Sequence, residues 1–204
     1  MPALALIGDS HAEVLFPLLK PIAEAAGYRV VFSSAKRGWS EASYNRDASF
    51  ASSLAAARPD VALVHLGGNN QAMSTAAYSR DVQTLLGTLE RAGVKRVLWI
   101  GPYAATSDTA NTRVRHETTA DLQATILPQF GVRWLDTRPF SQTGHTDGVH
   151  FSRTAYADFA RRIGSFLGSG AGSVVASPSR LWIWAATAAS LVGIAVAVVR
   201  RKSW

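Results

Sequence analysis

The chain contains no cysteine. Disulfides, thiolate catalysis and cysteine-ligated zinc are thereby excluded, while the redox compartment stays open, because a cysteine-free chain suits either. Residues 1–179 hold no Lys/Arg run and no aromatic–basic stripe. The net charge of +7 is unevenly placed: Arg180, Arg200, Arg201 and Lys202 lie in a final stretch without a single acid. No nucleic-acid partner is expected from such a distribution. H-E-x-x-H is absent, so no metal site is expected, and G-x-S-x-G is absent, so the nucleophile elbow of α/β-hydrolases is the wrong comparison. There is no internal repeat and no long polar low-complexity tract. The opening "MPALALIGDS" lacks both the basic region and the long apolar core of a secretory leader.

What is present suffices for one domain with a sizeable core: 204 residues, 48% of them hydrophobic. The boundaries expected are a domain over 1–167, a flexible Gly/Ser-rich linker over 168–180, a transmembrane helix over 181–199 and a basic tail over 200–204. "LWIWAATAASLVGIAVAVV", Leu181 to Val199, carries no charge. At about 1.5 Å per residue it spans roughly 28 Å as a helix, close to the hydrocarbon thickness of a bilayer. Tryptophans at one end and the Arg-Arg-Lys cluster at the other suit the two interfaces. A single-pass C-terminal anchor is therefore expected, with the bilayer as a partner. Its side is left open: the basic cluster argues for a cytoplasmic tail and an external domain, whereas the missing leader argues for a domain inside.

Five short apolar runs, Ala3–Ile7, Tyr28–Ser33, Val61–Leu66, Arg96–Ile100 and Val132–Leu135, are continuous rather than alternating, as expected of strands buried on both faces. Helical stretches fall between them, at Ala12–Ala26, Ala48–Ala57, Thr75–Ala92, Thr112–Gln129 and Arg153–Leu167. Strand alternating with helix predicts an α/β fold: a five-stranded parallel sheet covered on both faces. On that pattern "GDSH" (8–11), Gly38 of "KRGWS", "GGNN" (67–70) and "DGVH" (147–150) all fall just past the C-terminal end of a strand. That edge is where open α/β sheets bind ligands.

These residues can perform nucleophilic catalysis. An activated serine needs a base, and the base needs an orienting group. Ser10 can be the nucleophile and His150 the base. Asp147, three residues earlier, is near enough on a tight turn to hold the imidazole from its other nitrogen. The Asn69 amide and the backbone N–H groups of Gly38 and Ser10 are candidate oxyanion donors. Taken in order and spacing, "GDSH", Gly38, "GGNN" and "DGVH" resemble the sequence blocks of the SGNH (GDSL-type) hydrolases over roughly residues 3–167. The resemblance implies a flavodoxin-like three-layer α/β/α fold, Ser10 as nucleophile, Gly38 and Asn69 in the oxyanion hole, and Asp147 and His150 completing the triad. His11 departs from the Leu of the GDSL pattern, and Asn70 stands where that pattern often has Asp.

The activity expected is hydrolysis of a small O-acyl ester through an acyl-enzyme on Ser10, with no cofactor. The resemblance points to O-acetylated carbohydrate as one substrate. Transfer of the acyl group to a sugar hydroxyl and a catalytically silent, membrane-anchored binding module are the alternatives. Gly67 is expected to line the site. Trp39 and Tyr103, following strands two and four, either line a substrate pocket or simply pack. The polar stretch "TSDTANTRVRHETT" (106–119) reads either as a specificity loop or as a surface loop entering a helix. Oligomeric state is not legible.

Overall fold

The computed structural model describes residues 1–70, 74–107 and 112–169. The linker, anchor and tail expected over 168–204 therefore lie, from residue 170 on, outside the described residues. Among the described residues no helix is long and apolar enough to cross a membrane.

Five parallel strands form one sheet: β1 (Ala3–Gly8), β2 (Arg29–Ala35), β3 (Val61–His65), β4 (Arg96–Ile100) and β5 (Arg133–Leu135). Their order is β2-β1-β3-β4-β5, the flavodoxin-like winding, with all four pairings parallel. Six α-helices connect or follow them: α1 (Ser10–Ala25), α2 (Glu41–Arg46), α3 (Ala48–Ala57), α4 (Thr75–Arg91), α5 (Thr112–Ile126) and α6 (Arg153–Gly168).

Side chains on a strand alternate between faces, so one sheet needs two apolar layers. Leu4 and Leu6 of β1 join Leu63, Leu98 and Ile100 beneath α1 and α6. Ala5 and Ile7 join Ala62, Val64 and Trp99 beneath α3, α4 and the end of α5. Continuous burial is confined to the inner part of the sheet: β1 and β3 are buried throughout, whereas β2 and β5 are half-exposed. The expectation of burial on both faces fails for these two because an edge strand has a hydrogen-bonded neighbour on one side only. The helix expected to run to Gln129 stops at Ile126 and tightens into a 3₁₀ turn, Leu127–Phe130. Pro128 sits there without an N–H to continue the α-helical ladder. The short α2 went unread, since six residues give too little periodicity to detect.

Candidate active site

The strand-to-helix corner after β1 is built by Gly8 and Asp9. A Cβ on Gly8 would lie 2.4 Å from the Ala12 side chain and 3.0 Å from the His65 carbonyl, so only glycine lets α1 turn back this closely. Asp9 then caps α1: its Oδ1 accepts from the His11 N–H at 3.0 Å. Ser10 is thereby fixed as the first residue of the helix, at the C-terminal edge of the sheet.

The opposite wall is the turn before α6. Asp147 Oδ1 accepts from the backbone N–H groups of Val149 (2.9 Å) and His150 (2.6 Å), so its own carboxylate folds the turn. Its Oδ2 lies 2.8 Å from His150 Nδ1. The hydrogen bond from the His150 ring, followed by those from the backbone, lowers the Asp147 carboxyl to about 2. It is therefore a carboxylate at neutral pH, which assigns the Nδ1 proton to His150 and leaves Nε2 as an acceptor. Ser10 Oγ lies 3.1 Å from that Nε2. Three side chains, two of them 140 residues apart in sequence, thus form one hydrogen-bonded chain from hydroxyl to imidazole to carboxylate. Gly148, at φ +82°, provides the turn, and its carbonyl accepts from the N–H groups of Thr106 and Ser107.

Asn69, past β3, stands in the same cleft, but its amide is engaged. Nδ2 donates to Trp39 O at 3.1 Å and to Asp9 Oδ2 at 3.3 Å. Gly38 occupies an exposed turn after β2 with φ +75°, and the Lys36 N–H ties that loop to Gly8 O. Trp39 is half-buried against Tyr44, with rings 4.9 Å apart, and meets the site through its carbonyl rather than its indole.

Two expected site residues lie elsewhere. Gly67, at φ +129°, faces away from the cleft: a Cβ there would strike the Gln123 and Thr119 side chains. Its neighbour Gly68 lines the cleft instead. Tyr103 is fully buried in an aromatic cluster with Phe151 and Phe159, so it packs and does not form a substrate wall. Asn70 is buried beside Glu41 and Tyr78 rather than at the reacting groups.

The cleft itself, about 120 Å³, is lined by Ser10, Asn69 and His150, and on its far side by Thr112, Arg115 and His116 of α5. Of the polar stretch 106–119, residues 112–119 open α5, where a helix is expected from Thr112, and Thr112, Arg115 and His116 form part of this wall. This contribution was missed because the inward stripe of α5 is polar: Thr112, His116, Thr119 and Gln123 are its buried residues, and hydrophobic periodicity does not register such a face.

All five histidines of the chain gather here. His11 is buried, its Nδ1 2.8 Å from the Tyr156 hydroxyl, with the His150 ring 5.0 Å and the His65 ring 5.8 Å away. Burial holds the His11 imidazole well below its ordinary range and His65 at about 4, and it lowers His116 as well. His116 Nδ1 lies 2.7 Å from Tyr103 O, and His145 Nε2 lies 2.9 Å from Ala104 O. Burial pushes Asp9 up to about 7. Its nearest oxygen is 3.9 Å from His65 Nδ1, too far for a hydrogen bond, and desolvation drives both groups toward neutrality. Among the described residues no group of histidines and carboxylates is arranged to hold a metal ion.

A three-layer α/β/α domain with this winding has a flavodoxin-like fold, and solved structures share it. A lipase/acylhydrolase from Enterococcus faecalis is 18% identical, with 83% of this chain and 96% of that one covered at a TM-score of 0.64. The acetylxylan esterase Axe2 from Geobacillus stearothermophilus is 17% identical, covering 82% and 94% at 0.65. TesA is 18% identical, covering 82% and 98% at 0.63. Residues 3–155 match the family described as a protein of unknown function, DUF459, and the chain belongs to that family. No curated protein matches the sequence.

Proposed function

We propose that this protein is a serine ester hydrolase that cleaves a small O-acyl ester through an acyl-enzyme on Ser10. The observation that carries this is the continuous chain from Ser10 Oγ to His150 Nε2, and from His150 Nδ1 to Asp147 Oδ2. In the reaction His150 Nε2 takes the Ser10 proton as Oγ attacks the ester carbonyl. Asp147, already ionised, stabilises the imidazolium that forms and fixes its tautomer. The imidazolium then protonates the departing alcohol, and the same nitrogen next activates water to release the acid.

The oxyanion is assigned to N–H donors at the two loop ends, Ser10 and Gly38, together with the Asn69 amide. Ser10 opens α1, where the first N–H groups have no intrahelical acceptor and are available to a developing negative charge. Asn69 serves by turning one amide proton from its present acceptors toward the oxyanion. Each such donor is typically worth about 3–4 kcal/mol in the transition state. The narrow polar cleft suits a short acyl group. Axe2 and the Enterococcus faecalis protein are described as an acetylxylan esterase and a lipase/acylhydrolase, which supports an ester substrate and makes O-acetylated carbohydrate a reasonable class to assay. The uncharged run Leu181 to Val199 is proposed as a bilayer anchor for this activity.

The test is release of p-nitrophenol from p-nitrophenyl acetate by the full-length chain beside its Ser10→Ala variant. Ser10→Ala is expected to lower kcat by on the order of 10⁴-fold or more. Turnover retained by the variant would overturn the assignment.

A further inference from the structure

Arg115 stands in the wall of the cleft that holds Ser10 and His150. Its Nη2 donates to Thr112 Oγ1 at 3.2 Å, and its Nε is buried without an acceptor. Arg37 pairs with Glu13, Arg138 with Asp121 and Asp136, and Arg161 and Arg162 with Asp158, all outside the cleft; what sets Arg115 apart is its half-buried place beside Ser10 and His150 with a buried Nε that has no acceptor. Arg115 forms no ion pair among the described residues. A half-buried guanidinium without a counter-charge is costly to keep, since a partly desolvated cation needs hydrogen-bond acceptors to offset lost hydration.

Among the described residues the cleft offers no internal anion in compensation. The carboxylate that lines it, Asp9, is occupied by the His11 N–H and the Asn69 amide, and burial drives it toward the neutral form. Asp147 is committed to His150 and to the turn. Arg115 also lies in the first turn of α5, which carries no acid, so the helix macrodipole adds to its positive field. Among the described residues Val149 is the one aliphatic side chain lining the cleft, so this wall gives little to a long hydrocarbon chain.

We propose that Arg115 is a specificity-determining residue, and that the cleft selects short-chain esters carrying a carboxylate near the reacting carbonyl. This rests on the esterase reading above. The guanidinium fork would receive the carboxylate in two parallel hydrogen bonds, a geometry lysine cannot reproduce. The bond changes at Ser10 are unaltered. The carboxylate positions the ester and takes no proton.

The experiment compares matched esters with the full-length chain. One pair, 4-acetoxybenzoate and its methyl ester, places the carboxylate on the alcohol. The other, p-nitrophenyl hydrogen succinate and p-nitrophenyl butyrate, places it on the acyl group. The readout is the kcat/KM ratio of anionic to neutral ester. At least one pair is expected to give a ratio above unity that falls by about tenfold or more in Arg115→Gln, chiefly through KM. Arg115→Lys should recover part of that loss. The same ratio in wild type and Arg115→Gln, or an equal fall with both esters of a pair, overturns the proposal. Should no ester be cleaved, the esterase reading fails by itself, and benzoate binding measured by calorimetry decides the anion site. Binding abolished in Arg115→Gln supports it, and no binding to wild type, or equal binding to the variant, overturns it.

Discussion

At the scale of single residues, the site depends on which carboxylate is charged. Asp147 and Asp9 flank the same cleft with opposite states. The His150 ring and two backbone N–H groups hold Asp147 at about 2. Asp9 is fully buried and rises from 3.8 to about 7, with desolvation outweighing its hydrogen bond from His11. A raised carboxyl links stability to pH in a definite direction. Between the unfolded and folded values the native protein keeps a proton that the unfolded chain has released, so stability is greatest on the acid side of that window and falls as pH rises through it. Asp9→Asn removes this group while retaining an acceptor for the His11 N–H. Its melting temperature relative to wild type is therefore expected to improve from about pH 4 to about pH 8, followed by differential scanning calorimetry. A constant offset across that range would contradict the neutral-Asp9 assignment.

Residues were legible in sequence where chemistry constrained their type. Ser10, Asp147 and His150 stand out because a hydroxyl, a carboxylate and an imidazole, side chains able to serve as nucleophile, orienting acid and base, fall past strand ends of one sheet. The structure brings them within hydrogen-bond reach. Gly67 does not line the cleft as expected, and Tyr103, left open between pocket wall and packing, packs, for one physical reason. A residue just past a strand can point toward the edge or back between the layers, and spacing does not tell which. Gly67 backs onto Gln123, and Tyr103 drops among Phe151 and Phe159. Arg115 escaped notice because a cation on a polar helix looks like solvated surface until its ion-pair partners are sought.

At the scale of elements, the sheet was readable because its inner strands are continuous apolar runs, and β4 begins and ends where the run Arg96–Ile100 does. The start of α5 was readable at Thr112, but its role as a cleft wall was not, since its buried face is polar and meets polar site groups. The element most exposed to perturbation is the turn between β5 and α6. Gly148 holds φ +82°, and a Cβ there would approach Ser107 Cβ at 2.9 Å and Ser107 N at 3.0 Å. Gly148→Ala is expected to strain the turn by about 1–3 kcal/mol and to move His150 against Ser10. kcat for a p-nitrophenyl ester should fall roughly 10²-fold, more than the modest loss of melting temperature alone would explain. Unchanged kcat would mean that the turn does not set the catalytic geometry.

At the scale of the whole molecule, one side of the sheet concentrates the polar chemistry. The C-terminal strand ends deliver Asp9–Ser10, the Gly38 loop, Asn69 and the Asp147–His150 turn to one place, with α5 closing the cleft. Buried histidines pack behind it, and burial keeps His11 and His65 neutral, so His150 is placed against uncharged rings rather than a row of cations. The most direct test of the central claim is covalent. The full-length chain is treated with an alkyl fluorophosphonate, which reacts with an activated serine hydroxyl, and the adduct is mapped by peptide mass spectrometry. One adduct is expected, on Ser10, and it is expected to disappear in His150→Ala. A folded protein that takes no adduct, or takes it on another serine, would contradict it.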